Sequence, residues 1–411
     1  MRFDTTPEHR RGGRLALLGA LVAVLLGLAQ PAQAQETVGE WAFKRLDAAS
    51  KALNSNKYGD AKSQLDRMKE RKSKLNPREL ALMWQSYGHM YFLQDKYKPA
   101  AAAFEQAIAQ NALEPQQVSD IRFNLGQLYM AAEQWKKAAR SFEAWLAVAQ
   151  NPAPQARFVV GQNYMQLKNW NSALKHVAAA VKAKPKPSES WLQSLATVQY
   201  ELKKKRDLIA TLKKLIEFYP KGSYWVQLAG MYGDIGDQKR SLAVYELAYY
   251  GGFVTRPSEL KNLAQMLIAQ NVPLKGAQVL EDEMKKKRLP RDGDHLKLLA
   301  DAYVRAKEFD KAVTPLNQAA KMGKSGDLYL RLAQLHIEQE RWQKAIQAAS
   351  SAVNTGKLKD PGQAHLVRGI ASFYAGQKGA AIKALNQAQK SKNSTTANVA
   401  RQWLALISSM A

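Results

Sequence analysis

The chain of 411 residues contains no cysteine, which excludes disulfides, thiolate metal sites and a lipid anchor carried on cysteine. Its six histidines, His9, His89, His176, His295, His336 and His365, are scattered; no two stand four apart around a glutamate, as a helical zinc site requires. Acidic residues are scarce, 35 Asp and Glu against 61 Lys and Arg, for a formal charge of +26. After Ala29 no apolar run approaches the roughly 20 residues that span a bilayer. Met322-Gly323-Lys324-Ser325 has Gln318 where a phosphate loop needs its first glycine, and no strand leads into it. Ser172–Lys175 and Ser258–Lys261 match S-x-x-K inside helical stretches, without the companions of that motif. No cofactor is expected and the chain is not expected to be an enzyme.

What is present begins with an export leader. Arg2, Arg10, Arg11 and Arg14 precede an apolar run from Leu15 to Ala29, followed by Ala32-Gln33-Ala34. This is the pattern of a signal peptide, with cleavage expected after Ala34 and a periplasmic mature protein. The alternative is an uncleaved segment anchoring the chain in the inner membrane. Residues 1–34 carry four Arg and two acidic groups, so their removal leaves +24.

The remainder is a repeat. A small residue recurs at Ala49, Gly88, Gly126, Gly161, Ala196, Ala229, Ala264, Ala300, Ala333 and Gly369. Twelve residues after each stand Ala61, Ala100, Ala138, Ala173, Leu208, Ser241, Gly276, Ala312, Ala345 and Ala381. We call these the first and second columns. Successive copies lie 33 to 39 residues apart, the period of stacked helical repeats. Within a copy the apolar spacing is helical: Trp84, Tyr87, Gly88 and Tyr91, then Tyr97, Ala100, Phe104, Ala107 and Ile108, around the polar turn Gln94-Asp95-Lys96. Each copy therefore reads as two short helices crossing at small residues, where backbones approach closely. Leu208 is the one bulky exception, in a copy that also holds Lys203-Lys204-Lys205-Arg206.

The set Trp84, Tyr87, Gly88, Tyr91, Ala100, Phe104 and Ala107 resembles the tetratricopeptide (TPR) signature, and Leu125, Gly126, Tyr129, Ala138 and Phe142 repeat it, as do Gly161, Tyr164 and Ala173. The resemblance implies an all-α, right-handed solenoid of about ten helix pairs, which we expect to be one continuous array because stacked units need no common core. Its parts are an atypical first repeat over 35–80, consensus-like repeats over 81–187, degenerate ones over 188–290, better ones over 291–393, and a capping helix over 394–411. The cap is expected to turn Val399, Trp403, Leu406 and Ile407 inward.

By the geometry of that family the first helix of each pair lines a groove. The residues three before, one after and four after each first-column position then face a ligand: His89 and Phe92; Phe123, Gln127 and Met130; Phe158, Gln162 and Met165; Thr197 and Tyr200. Such a row suits a peptide or helix laid along it, or else serves to pack neighbouring first helices. Gln85 and His89 stand where the acid-tail clamp of chaperone adaptors has Lys and Asn, which argues against that ligand class, while Lys297, Asp301 and Arg305 make a later stretch charged.

Export and the repeat together indicate an interaction scaffold with protein partners in the cell envelope. The stretch Leu75-Asn76-Pro77-Arg78-Glu79 to Met83-Trp84, through Tyr91-Phe92-Leu93-Gln94, is similar to periplasmic TPR proteins encoded beside TonB, ExbB and ExbD. That resemblance implies an accessory role in energy-driven uptake. The alternative is a structural envelope protein that meets cell-wall glycan or anionic lipid through its lysines, or a factor in polysaccharide export or outer-membrane assembly. Nucleic acid is not an expected partner for an exported protein, despite the charge.

Overall fold

The computed structural model describes residues 37–356 and 358–410; the leader and its cleavage site lie outside them. Among the described residues there is no strand, and no helix is long and apolar enough to cross a membrane.

Ten helix pairs follow one another. They are α1 (Glu40–Asn54) with α2 (Tyr58–Glu70), α3 (Pro77–Leu93) with α4 (Tyr97–Ala109), α5 (Pro115–Ala131) with α6 (Trp135–Leu146), α7 (Pro154–Gln166) with α8 (Trp170–Lys182), and α9 (Glu189–Glu201) with α10 (Lys205–Phe218). Then come α11 (Gly222–Asp234) with α12 (Gln238–Tyr250), α13 (Pro257–Ala269) with α14 (Pro273–Lys285), α15 (Gly293–Arg305) with α16 (Phe309–Gly323), α17 (Gly326–Glu338) with α18 (Trp342–Thr355), and α19 (Pro361–Tyr374) with α20 (Lys378–Ala388). A last helix, α21 (Ser394–Ser409), stands alone. All ten first-column residues fall on first helices and all ten second-column residues on second helices.

The polar segment after Glu70 proves to be a short 3-10 turn, Lys72–Lys74, leading to Asn76, whose side chain caps α3 while Glu79 returns a bond to the Asn76 amide. That turn accounts for the longest gap between copies. Val272-Pro273 reads as a break but is a helix start: Pro273 is the first residue of α14, where its missing N–H costs nothing. Gly323-Lys324-Ser325 ends α16 and caps α17, with Lys324 left-handed and Ser325 accepting from the Leu328 amide.

The twelve-residue offset has a backbone cause. Seven residues after each first-column position the chain takes positive φ, at Asn56, Asp95, Glu133, Lys168, Lys203, Gly236, Asn271, Lys307, Glu340 and Gly376. The next amide then donates to the carbonyl five residues back, as Gln134 does to Tyr129 at 2.7 Å and Asn169 to Tyr164 at 2.9 Å. This closes the first helix with a left-handed residue and aims the second helix identically in every copy.

Small residues are required where the pair crosses. A methyl added at Gly126 would lie 2.3 Å from the Phe142 ring, one at Gly88 2.7 Å from Phe104, and one at Gly369 2.7 Å from Leu385. Ser241 fits the second column by donating its hydroxyl to the Ala229 carbonyl at 2.8 Å. At the exceptional pair Leu208 is buried, α9 and α10 touch less than the partners of any other pair, and a buried bond from Thr211 Oγ1 to Gln199 Oε1 (2.7 Å) links them.

The sequence suggests one array; the chain divides into two compact units, the first ending at Tyr219 and the second starting at Pro220. The division lies in the degenerate stretch. In each unit helices touch neighbours in sequence, the nearest-neighbour stacking of an α-solenoid. In the second unit α21 covers the last pair by part of the expected stripe, Trp403 and Ile407, with Val399 half-buried. Thr396, Ala397, Ala400 and Ile407 are buried with Trp403 and Leu404 against them, while Leu406 is exposed. The rotation follows from Asp360, whose carboxylate accepts from Thr396 Oγ1 and Ser391 Oγ, both at 2.8 Å, and so sets the azimuth of the helix.

Candidate protein-binding face

First helices are also tied across copies. Tyr129 donates to Glu105, Tyr164 to Glu143 at 2.8 Å and Tyr303 to Glu281 at 2.7 Å. Each tyrosine stands three after the first column, and each acid five after the second column of the preceding copy. Burial and the neighbouring carboxylate push all three phenols well above their ordinary range, so they remain hydrogen-bond donors. This bolt was missed in the sequence, although a tyrosine 21 to 24 residues after an acid in three copies was a usable signal.

On this frame the expected ligand-facing row of α3, α5, α7 and α9 divides. Phe158 is only 4% exposed and stacks on Trp191 of α9, ring centroids 4.8 Å apart. Gln127 is buried as well. Phe123 lies half-buried on Trp145 and Phe142, at 4.7 and 5.6 Å. Those positions pack helices, so Phe158 and Gln127 are corrected to structural residues: their side chains are used up by contacts within the first unit. Thr197 is half-buried and returns its hydroxyl to the Gln193 carbonyl.

What faces outward is His89, Phe92, Met130, Met165 and Tyr200, all half-buried, with Gln162 exposed. Burial pulls the His89 pKa down, so it is neutral near pH 7. Of the arginines on these helices, Arg78 bonds the Ala112 carbonyl and Arg122 the Ala144 carbonyl, and Arg157 is half-buried on α7. The face is thus apolar and amide-bearing with hardly a free charge. In the second unit Lys297 and Arg305 are exposed, and Asp301 pairs with Arg331 across α15 and α17.

The family model for the tetratricopeptide repeat matches residues 123–188, 297–357 and 330–396. Those spans cover α6 to α8 and α16 to α20 entirely, most of α15 and the C-terminal half of α5. The chain is a tetratricopeptide repeat protein. Scaffolds of this kind mediate protein–protein contacts and are typically non-enzymatic. Solved structures similar to this TPR chain include a TPR protein from Parabacteroides merdae, 16% identical over 73% of this chain and 100% of that one, with a TM-score of 0.36. A second is the C-terminal part of a TPR repeat-containing protein from Cytophaga hutchinsonii, 13% identical over 67% and 95%, TM-score 0.37. YrrB, described as a TPR protein with an unusual peptide-binding site, is 13% identical over 49% and 90%, TM-score 0.36. No curated protein matches this chain. Among the described residues no three His, Asp or Glu side chains group as metal ligands.

Proposed function

We propose that this TPR protein is an exported scaffold that seats a protein segment on the first-helix face of its first unit, within a periplasmic complex accessory to TonB-dependent energy transduction. The observation that carries the binding face is its composition: apolar Phe92, Met130, Met165 and Tyr200 flank the exposed amide of Gln162, without charge, in a chain of net +26. Polarisable methionine and aromatic groups give adaptable contact, and an amide can bond the backbone of an extended segment whatever its sequence. The leader pattern and the resemblance over residues 75–94 support the envelope setting.

The test is in-cell cross-linking from a photoreactive residue at Gln162, followed by pull-down with Phe92→Ala/Met165→Ala. We expect a discrete cross-linked partner and at least tenfold weaker capture by the variant at unchanged helical content. Undiminished capture removes the face from the proposal. Cross-links solely to cytoplasmic proteins, or recovery of the unprocessed chain in the inner membrane, would remove the periplasmic setting.

A further inference from the structure

The cations scarce on α5, α7 and α9 are found on the second helices beside them. Residues 135–214 hold fifteen Lys and Arg against four Asp and Glu. Of these cations only Arg157 lies on a first helix. Lys136 and Arg140 on α6, Lys175 and Lys182 on α8, and Arg206 and Lys214 on α10 are all exposed, and among the described residues none of the six forms an ion pair. Glu143, the one acid on α6, is taken by Tyr164.

The second unit also holds many cations but uses several of them internally. Lys275 pairs with Glu246 at 2.5 Å, Lys286 and Arg288 with the buried Glu283, Lys311 with Glu308 and Arg341 with Asp310. Part of the basic run 285–288 is therefore structural, whereas Lys136, Arg140, Lys175, Lys182, Arg206 and Lys214 are in no such ion pair.

We propose that the second-helix face of the first unit, formed by α6, α8 and α10, is a docking surface for an anionic lipid bilayer. Two features select this occupant. Helices of 12 to 14 residues are about 18–21 Å long. A first helix stands between each two of α6, α8 and α10, which make hardly any contact with one another, so their axes lie farther apart than the about 8–10 Å of packed helices. The cations therefore cover a two-dimensional field of at least about 20 Å each way, which matches a plane of headgroups better than one linear polyanion. The field also lacks apolar anchors: of the exposed large hydrophobic side chains only Val148 lies near it. Binding is then peripheral and electrostatic, each cation near the surface contributing about a fivefold gain, and it is screened by salt. The first-helix face stays free, so this inference does not rest on the protein-binding proposal.

The test is co-sedimentation of the mature chain with vesicles of 30% phosphatidylglycerol in phosphatidylcholine, compared with Lys136→Glu/Arg140→Glu/Arg206→Glu/Lys214→Glu. A control, Lys239→Glu/Lys344→Glu/Lys383→Glu/Lys390→Glu, makes the same charge change in the second unit at exposed sites. We expect the first variant to lose at least a hundredfold in vesicle partitioning and the control to lose less than tenfold, with helical content unchanged in both. Binding by the native chain should vanish at 0.5 M NaCl. Equal losses in the two variants would mean that net charge alone acts, and would overturn the proposal. So would capture on heparin without capture on vesicles, which would point to a soluble polyanion.

Discussion

Replacing Gly126 by alanine tests the close crossing of helices on which every copy depends. The added methyl would sit 2.3, 2.5 and 2.7 Å from three ring atoms of Phe142, a side chain with no exposure. Overpacking of this kind costs about 1–3 kcal/mol, whereas alanine in place of glycine in a helix returns about 1 kcal/mol. With three ring atoms inside 3 Å the cost falls in the upper part of that range, about 2–3 kcal/mol, so the net expectation is a loss of about 1–2 kcal/mol, centred on α5 and α6. Other copies show how the conflict is avoided: Ala196, Ala264 and Ala300 occur with Leu212, Leu280 and Leu316, sixteen residues on, where Gly126 has Phe142. Phe142→Leu alone should cost about 1–2 kcal/mol through the cavity it leaves. Together Gly126→Ala and Phe142→Leu recreate the pairing of those copies and should lie within about 0.5 kcal/mol of the native chain, a coupling above 1 kcal/mol. Because long repeat arrays need not unfold in one step, the readout is hydrogen exchange of peptides from α5 and α6 in the full chain. Gly126→Ala as protected as the native chain, or additive effects in the double variant, would refute the reasoning.

Acid should weaken the same region. His176 is buried, stacked on Tyr164 at 5.7 Å, and held down to about 4 by burial and by the charges of Lys175 and Arg157. The unfolded chain takes up this proton near pH 6.5 while the folded chain refuses it until about 4, so stability is full above pH 6.5 and declines as pH falls toward 4. The loss amounts to about 3 kcal/mol, and His176→Phe should flatten that slope; an imidazole titrating near 6.5 in the folded chain would contradict it. At the left-handed turn position, Lys307 (φ 59) carries a cost that glycine avoids. Strain of about 1–2 kcal/mol against an entropic penalty of about 0.5–1 predicts that Lys307→Gly raises the melting temperature, while Gly236→Ala lowers it; the opposite order in thermal melts would exclude turn strain as the governing term.

Much of this architecture was legible because it rests on local rules repeated ten times. Small residues at Gly88 and Ala100, or Gly126 and Ala138, announce a crossing by themselves, since no other residue type fits there. The left-handed turns were less visible: eight of the ten are occupied by Asn, Asp, Glu or Lys rather than glycine, so the offset, not the residue type, carries the signal. The misreading of Leu406 has another origin. A capping helix has a repeat on only one side, and its azimuth follows from bonds such as Thr396 to Asp360, thirty-six residues apart, that no helical period encodes.

The binding face shows the limit more sharply. Register correctly places Phe123, Gln127, Phe158 and Gln162 at equivalent places of two repeats, yet Phe158 is sealed under Trp191 while Gln162 stands in solvent. Whether a position contacts a ligand or a neighbour depends on the side chain that the next copy presents. Phe158 has an indole opposite it, and Phe123 has Trp145. The same logic separates the lysines. Composition alone gives +26 without saying where it is free, and the partners do: Glu283 gathers Lys286 and Arg288, whereas α6, α8 and α10 offer almost no acid. A scaffold of similar local units thus acquires distinct faces through what stands one repeat away: in the first unit, apolar and amide-bearing at Phe92, Met130, Gln162 and Met165, and basic at Lys136, Arg140, Lys175 and Lys182.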